Sequence, residues 1–147
     1  MADIKQKVHA EMENIESILA ELRKVKDKPD KELVVLVGIG AYLQNIYNGI
    51  ENIFKRIIPV LGQELPVGDM WHSHLLDLMA QPLPNHPPVI SATLQDRLRL
   101  YMNFRHVFRH AYSFDLQWQK MSELVHQCDE ILSLVETDLA NFLRSQY

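Results

Sequence analysis

Ile4, Val8, Met12, Ile15, Leu19, Leu22 and Val25 recur at three- and four-residue steps. That period draws one apolar face along a helix predicted from about Asp3 to Lys26. The polar run from Lys26 to Glu32, with Pro29 inside it, breaks the period and reads as a solvated turn. Leu36, Ile39, Leu43, Ile46, Ile50, Ile53 and Ile57 then draw a second stripe, over a helix from Lys31 to Leu61. Leu33 to Val37 is β-branched enough to resemble a strand, but the helical period continues through it. Gly38, Gly40 and Gly49 each weaken this helix by roughly 1 kcal/mol relative to alanine, which calls for close helix–helix approach as compensation.

Trp71 to Met79 reads as a short helix after a turn from Gly62 to Gly68. The four prolines between Gln81 and Pro88 exclude helix there and leave a surface loop. Thr93 to Arg109 is a fourth helix, with Ser91 or Thr93 as N-cap. After a break at His110 to Asp115, a last long helix runs from Leu116 to Arg144 on the stripe Met121, Leu124, Cys128, Ile131, Val135, Leu139 and Phe142. The expected fold is all-α: a single domain over residues 1–147, built as an up-and-down bundle of four long helices and one short one.

Composition narrows the function classes. With one cysteine, Cys128, neither a disulfide framework nor a multi-cysteine zinc site is available. The longest apolar stretch, Leu33 to Leu61, is interrupted by Asn45, Asn48, Glu51, Asn52, Lys55 and Arg56, and the N-terminus lacks an apolar leader, so a cytoplasmic protein without membrane contact is expected. His72 and His74 stand two residues apart, off a common helical face, so they propose no metal site. Neither metal nor cofactor is expected.

The net charge of −4 disfavours a general nucleic-acid coat, yet four of the seven arginines (Arg97, Arg99, Arg105, Arg109) fall within thirteen residues, beside His106 and His110 and a single acid, Asp96. Such a stripe binds phosphate locally in an otherwise acidic chain. Its ordinary explanation is a helix end whose cations suit the dipole. A helical wheel oriented by Phe104 and Phe108 instead sends Arg105, His106, Arg109, His110 and Tyr112 away from the core, with Met102 among them, and an apolar residue ringed by cations calls for a covering surface. Arginine and histidine together suit metal-free RNA cleavage: histidine carries protons near neutral pH, and arginine forks onto phosphate oxygens. A symmetric dimer would bring two copies of the patch together.

Arg105-His106-Val107-Phe108-Arg109-His110-Ala111-Tyr112 resembles the Arg-x4-His-x-Tyr motif of the HepT-like toxins of the HEPN superfamily. Ala41 to Ile57 and Gly68 to Met79 resemble the family's second-helix and third segments, in the same order. The resemblance implies the HEPN helical bundle, dimerising with the motif in the interface cleft. It also implies the toxin of a type VII-like HEPN/MNT toxin–antitoxin system. The toxin would be a metal-independent endoribonuclease, with transfer RNA among its implied targets. Arg105 and His110 would be the catalytic pair, and His106, Arg109, Arg97 and Arg99 phosphate contacts. An MntA-like nucleotidyltransferase antitoxin would silence it by AMPylation of Tyr112. The position after the motif arginine, often Asn or Asp in the superfamily, is His106 here. The competing expectation is a non-catalytic nucleotide- or RNA-binding helical scaffold for a minimal nucleotidyltransferase; a purely structural bundle leaves the cationic patch without a use.

Overall fold

The computed structural model describes residues 3–110 and 116–146. Five α-helices run in chain order: α1 Ile4–Val25, α2 Leu33–Ile57, α3 Trp71–Ala80, α4 Ala92–His110 and α5 Trp118–Gln146. There is no strand among the described residues, so the all-α bundle expected from periodicity is the fold. α2 is the centre: it packs against α1, α3, α4 and α5. The predicted stripes are buried from Val8, Met12, Ile15, Leu19 and Leu22 on α1 to Met121, Cys128, Ile131, Val135, Leu139 and Phe142 on α5, while Ile4, Val25 and Leu124 at their margins are half-buried.

The element ends follow local chemistry. The second helix stops being α-helical at Ile57 and tightens into a 3-10 turn over Ile58–Leu61. Pro59 has no N–H to continue the ladder. Gly62, at φ 68°, then takes the left-handed conformation and donates its N–H to Pro59 O at 3.1 Å. Ser91 caps α4, its Oγ accepting the Leu94 N–H at 3.1 Å. The proline-rich loop before it ends in a buried plug, where the Val89 and Ile90 amides donate to Met79 O at 2.8 and 3.1 Å.

Two of the three glycines of α2 are close-approach positions. A Cβ on Gly40 would overlap the Phe108 ring of α4, and one on Gly49 would overlap the Ile15 side chain of α1. Gly38 faces open space, so close packing does not account for it. The segment Leu33–Leu61 is long and apolar enough to cross a membrane by length and composition. In the bundle it is the core helix, with Leu36, Ile39, Leu43, Ile46, Ile50, Ile53 and Ile57 all buried.

Candidate active site: a buried arginine below the α3–α4 cleft

The buried stripe of α4 is Leu94, Leu98, Tyr101 and Arg105, at steps of four, three and four residues. With Arg105 at zero on a wheel of about 100° per residue, these leucines and the tyrosine fall within roughly 40° of it. Arg105 therefore sits in the middle of the core-facing side and is 4% exposed. This overturns its expected placement away from the core. Phe104 and Phe108 are only half-buried, and they lie to one side of the true core direction, which Leu94 and Leu98 set a turn or more earlier.

A buried guanidinium needs a counter-charge and hydrogen-bond acceptors. α2 supplies both. Arg105 Nη1 donates to Glu51 Oε1 at 2.9 Å and to Asn48 Oδ1 at 2.8 Å, and Nη2 lies 3.4 Å from Glu51 Oε2. Glu51 is itself 4% exposed, on the same buried side of α2 as Tyr47 and Ile50. The guanidinium carbon rests 4.9 Å from the Tyr47 ring centre, a cation–π contact inside the bundle. The Tyr47 hydroxyl is buried with no hydrogen-bond partner among the described residues, and burial first, then the Glu51 charge, pushes its pKa up.

α3 completes the cluster. His72 Nδ1 lies 2.8 Å from Glu51 Oε2 and 2.8 Å from Arg105 Nη2. Its ring packs against that of Trp71 at a tilt of 32°, centroids 3.6 Å apart, and Lys55 of α2 lies 4.8 Å from the Trp71 ring centre. Above this cluster a cleft of about 410 Å³ opens between α3 and α4, lined among others by Asp69, Met70, His72, Met102, Arg105, His106, Val107 and Arg109.

Three of the sequence-selected residues thus meet at one cleft: Arg105 below it, and the exposed His106 and Arg109 beside it. Met102 also lines it, half-buried against the core, while Val107 and Met70 are the exposed apolar residues there, at 61% and 60%. His110 ends α4, exposed, with its ring centroid 4.7 Å from that of His106, and it is not a lining residue of the cleft. Arg97 and Arg99 point elsewhere. Arg97 donates to Glu130 at 3.0 Å and Gln127 at 3.2 Å on α5. Arg99 donates to Ser73 at 3.0 Å and pairs with Asp77 on α3. Tyr112 lies outside the described residues. No group of three or more metal-ligating side chains occurs among the described residues.

Glu51, Asn48 and His72 were not selected from the sequence. Glu51 alone carried a signal: an acid inside the apolar second helix and an arginine in register with Leu94, Leu98 and Tyr101 are opposite charges that each need a partner, though nothing in the sequence pairs them with each other.

The model of the HepT-like protein family matches residues 38–146, which takes in α3, α4, α5, most of α2 and every residue of this cluster. The chain belongs to the HepT-like protein family. No curated protein and no solved structure matches it.

Proposed function

We propose that this chain is a HEPN-type toxin acting as a metal-independent endoribonuclease in the cytoplasm. The observation that supports it most is a buried, charge-balanced Arg105 lining a cleft whose edge carries His106 and Arg109, in a chain of the HepT-like family. In this reading the scissile phosphate sits in the cleft against Arg105, with His106 and Arg109 holding flanking phosphates. Arg97 and Arg99 join them only by releasing Glu130 and Asp77. The ribose 2′-oxygen attacks phosphorus, the bond to the 5′-oxygen breaks, and His110 protonates that leaving oxygen. Products end in a 2′,3′-cyclic phosphate and a 5′-hydroxyl. A homodimer across this face, with Val107 and Met70 as its exposed apolar contacts, brings His110 of the second copy towards the cleft. An MntA-like nucleotidyltransferase closes the site by adding AMP to Tyr112, whose phosphate ester competes for the same arginines.

A second reading has a specific observation in its favour. Glu51, Asn48 and His72 already face both Nη atoms of Arg105. A guanidinium so committed suits a structural role, in a bundle that binds RNA or nucleotide without cutting it.

One experiment separates the two. Purified protein is incubated with RNA in EDTA, and the product ends are mapped. The ribonuclease reading expects cyclic-phosphate ends, a loss of about 10²–10⁴-fold in His110→Ala, and a Tyr112→Phe variant that stays active but gains no adenylate mass with the antitoxin and ATP. RNA binding without cleavage favours the scaffold.

A further inference from the structure

The ribonuclease reading names a proton donor for the leaving group and leaves the acceptor for the 2′-hydroxyl proton open. Seven histidines are available in the chain. His72 differs from the exposed His106 and His110 in being anchored from behind. Its Nδ1 sits 2.8 Å from the Glu51 carboxylate, its ring packs at a tilt against Trp71, and its side chain is 29% exposed and lines the cleft. Resting on that reading, we infer that His72 is the proton acceptor of the cleft, oriented through Nδ1 by Glu51 and accepting the ribose 2′-hydroxyl proton at Nε2.

The geometry at Nδ1 carries the argument. Two groups claim that one nitrogen: the Glu51 carboxylate, which requires an N–H there, and Arg105 Nη2, which requires a lone pair. Whichever partner holds Nδ1, Nε2 is the nitrogen left for the cleft. When Nδ1–H donates to Glu51, Nε2 is a bare lone pair, the form a general base needs. A buried carboxylate behind an imidazole fixes its tautomer and orientation and stabilises the imidazolium once it forms. Here the carboxylate is already neutralised by Arg105. Protonation of His72 therefore adds a net positive charge beside the phosphate as the phosphate gains negative charge.

The balance is complete without a metal. The 2′-hydroxyl proton passes to Nε2 of His72. The oxygen's freed electron pair forms the new P–O2′ bond, the P–O5′ bond breaks, and the 5′-oxygen takes a proton from His110. Exchange with solvent then returns one proton to His110 and removes one from His72. The charged and titratable groups around His72 are Glu51 from α2 and Arg105 from α4 in contact with it, His106 and Arg109 from α4 and Asp69 just before α3 lining the same cleft, and Lys55 of α2 against the Trp71 ring. The acidic limb of the rate profile is assigned to His72 against that background.

His72→Asn is the informative variant, because the Asn amide reproduces the Nδ1 position and its bond to Glu51 while deleting Nε2. The expected result is a fall of about 10²–10⁴-fold in cleavage, loss of the acidic limb of the pH–rate profile, and an unchanged melting temperature. A substrate with a 5′-thio leaving group, which needs no proton, should rescue His110→Ala and not His72→Asn. An active parent whose His72→Asn variant keeps its rate and acidic limb, or is rescued by the thio substrate, overturns the assignment and leaves the ribonuclease reading standing. A parent inert on RNA removes both. Should His72→Asn not fold, the parent is titrated by NMR with a 2′-deoxy oligonucleotide that cannot be cleaved. His72 ring resonances that shift support the assignment, and resonances that stay fixed overturn it.

Discussion

α4 carries arginines in two kinds of surroundings, and the contrast is instructive. Near its N-terminal half, Arg97 and Arg99 reach across the surface to Glu130 on α5 and Asp77 on α3. Two turns on, Arg105 enters the core and meets Glu51, with both side chains 5% exposed. The outer pairs work in high dielectric, where attraction is weak and salt screens it. The inner pair has given up hydration on both sides, and each charge is tolerable only because the other is present. Residue type is the same throughout; register on the helix decides whether an arginine decorates the bundle or becomes part of its interior.

Breaking the inner pair should have the largest effect. Arg105→Met strands the Glu51 carboxylate in the core and should cost about 3–5 kcal/mol in urea unfolding. The double variant Glu51→Leu/Arg105→Met removes both charges and should recover most of that loss. A double variant as unstable as the single would mean that the charges are not coupled. The outer pair at Arg99 should be far less sensitive: Arg99→Ala should cost under about 1 kcal/mol, and less in high salt. The smallest effect is expected at Arg97, and pH sharpens it. Hydrogen bonding to Arg97, reinforced by its charge, holds the Glu130 carboxyl below its ordinary value. A depressed carboxylate contributes stability above its unfolded pKa and loses it as pH falls through the folded one. The small difference between Arg97→Ala and parent at neutral pH should therefore vanish in acid, which thermal melts across a pH series would read.

The bundle itself was legible because burial repeats. Seven positions on α1 and seven on α5 agree on one face, so one misread residue changes nothing. The end of α2 moved where single residues dictate geometry, at Pro59 with Gly62, and α5 shifted by two residues at each end, from Leu116–Arg144 to Trp118–Gln146. The site was less legible for the opposite reason. Arg105 is one position, and its direction depends on which neighbours define the core. Phe104 and Phe108 gave one direction and Leu94, Leu98 and Tyr101 another; the latter is the buried stripe. Glu51 stood in the sequence as an interruption of an apolar helix, with no sign that it lies opposite Arg105, 54 residues away.

The sequence by itself determined that this chain forms helices, where each lies to within a few residues, and that a cationic segment belongs on the fourth of them. These follow from local periodicity, from proline and capping chemistry, and from residue type. Only the tertiary structure decided that Arg105 is buried, that Glu51, Asn48 and His72 surround it, and that His106 and Arg109 share its cleft while Arg97 and Arg99 do not. Those facts depend on how α2, α3 and α4 are rotated against one another. Packing fixes that rotation across the whole interface, and no stretch of contiguous sequence encodes it.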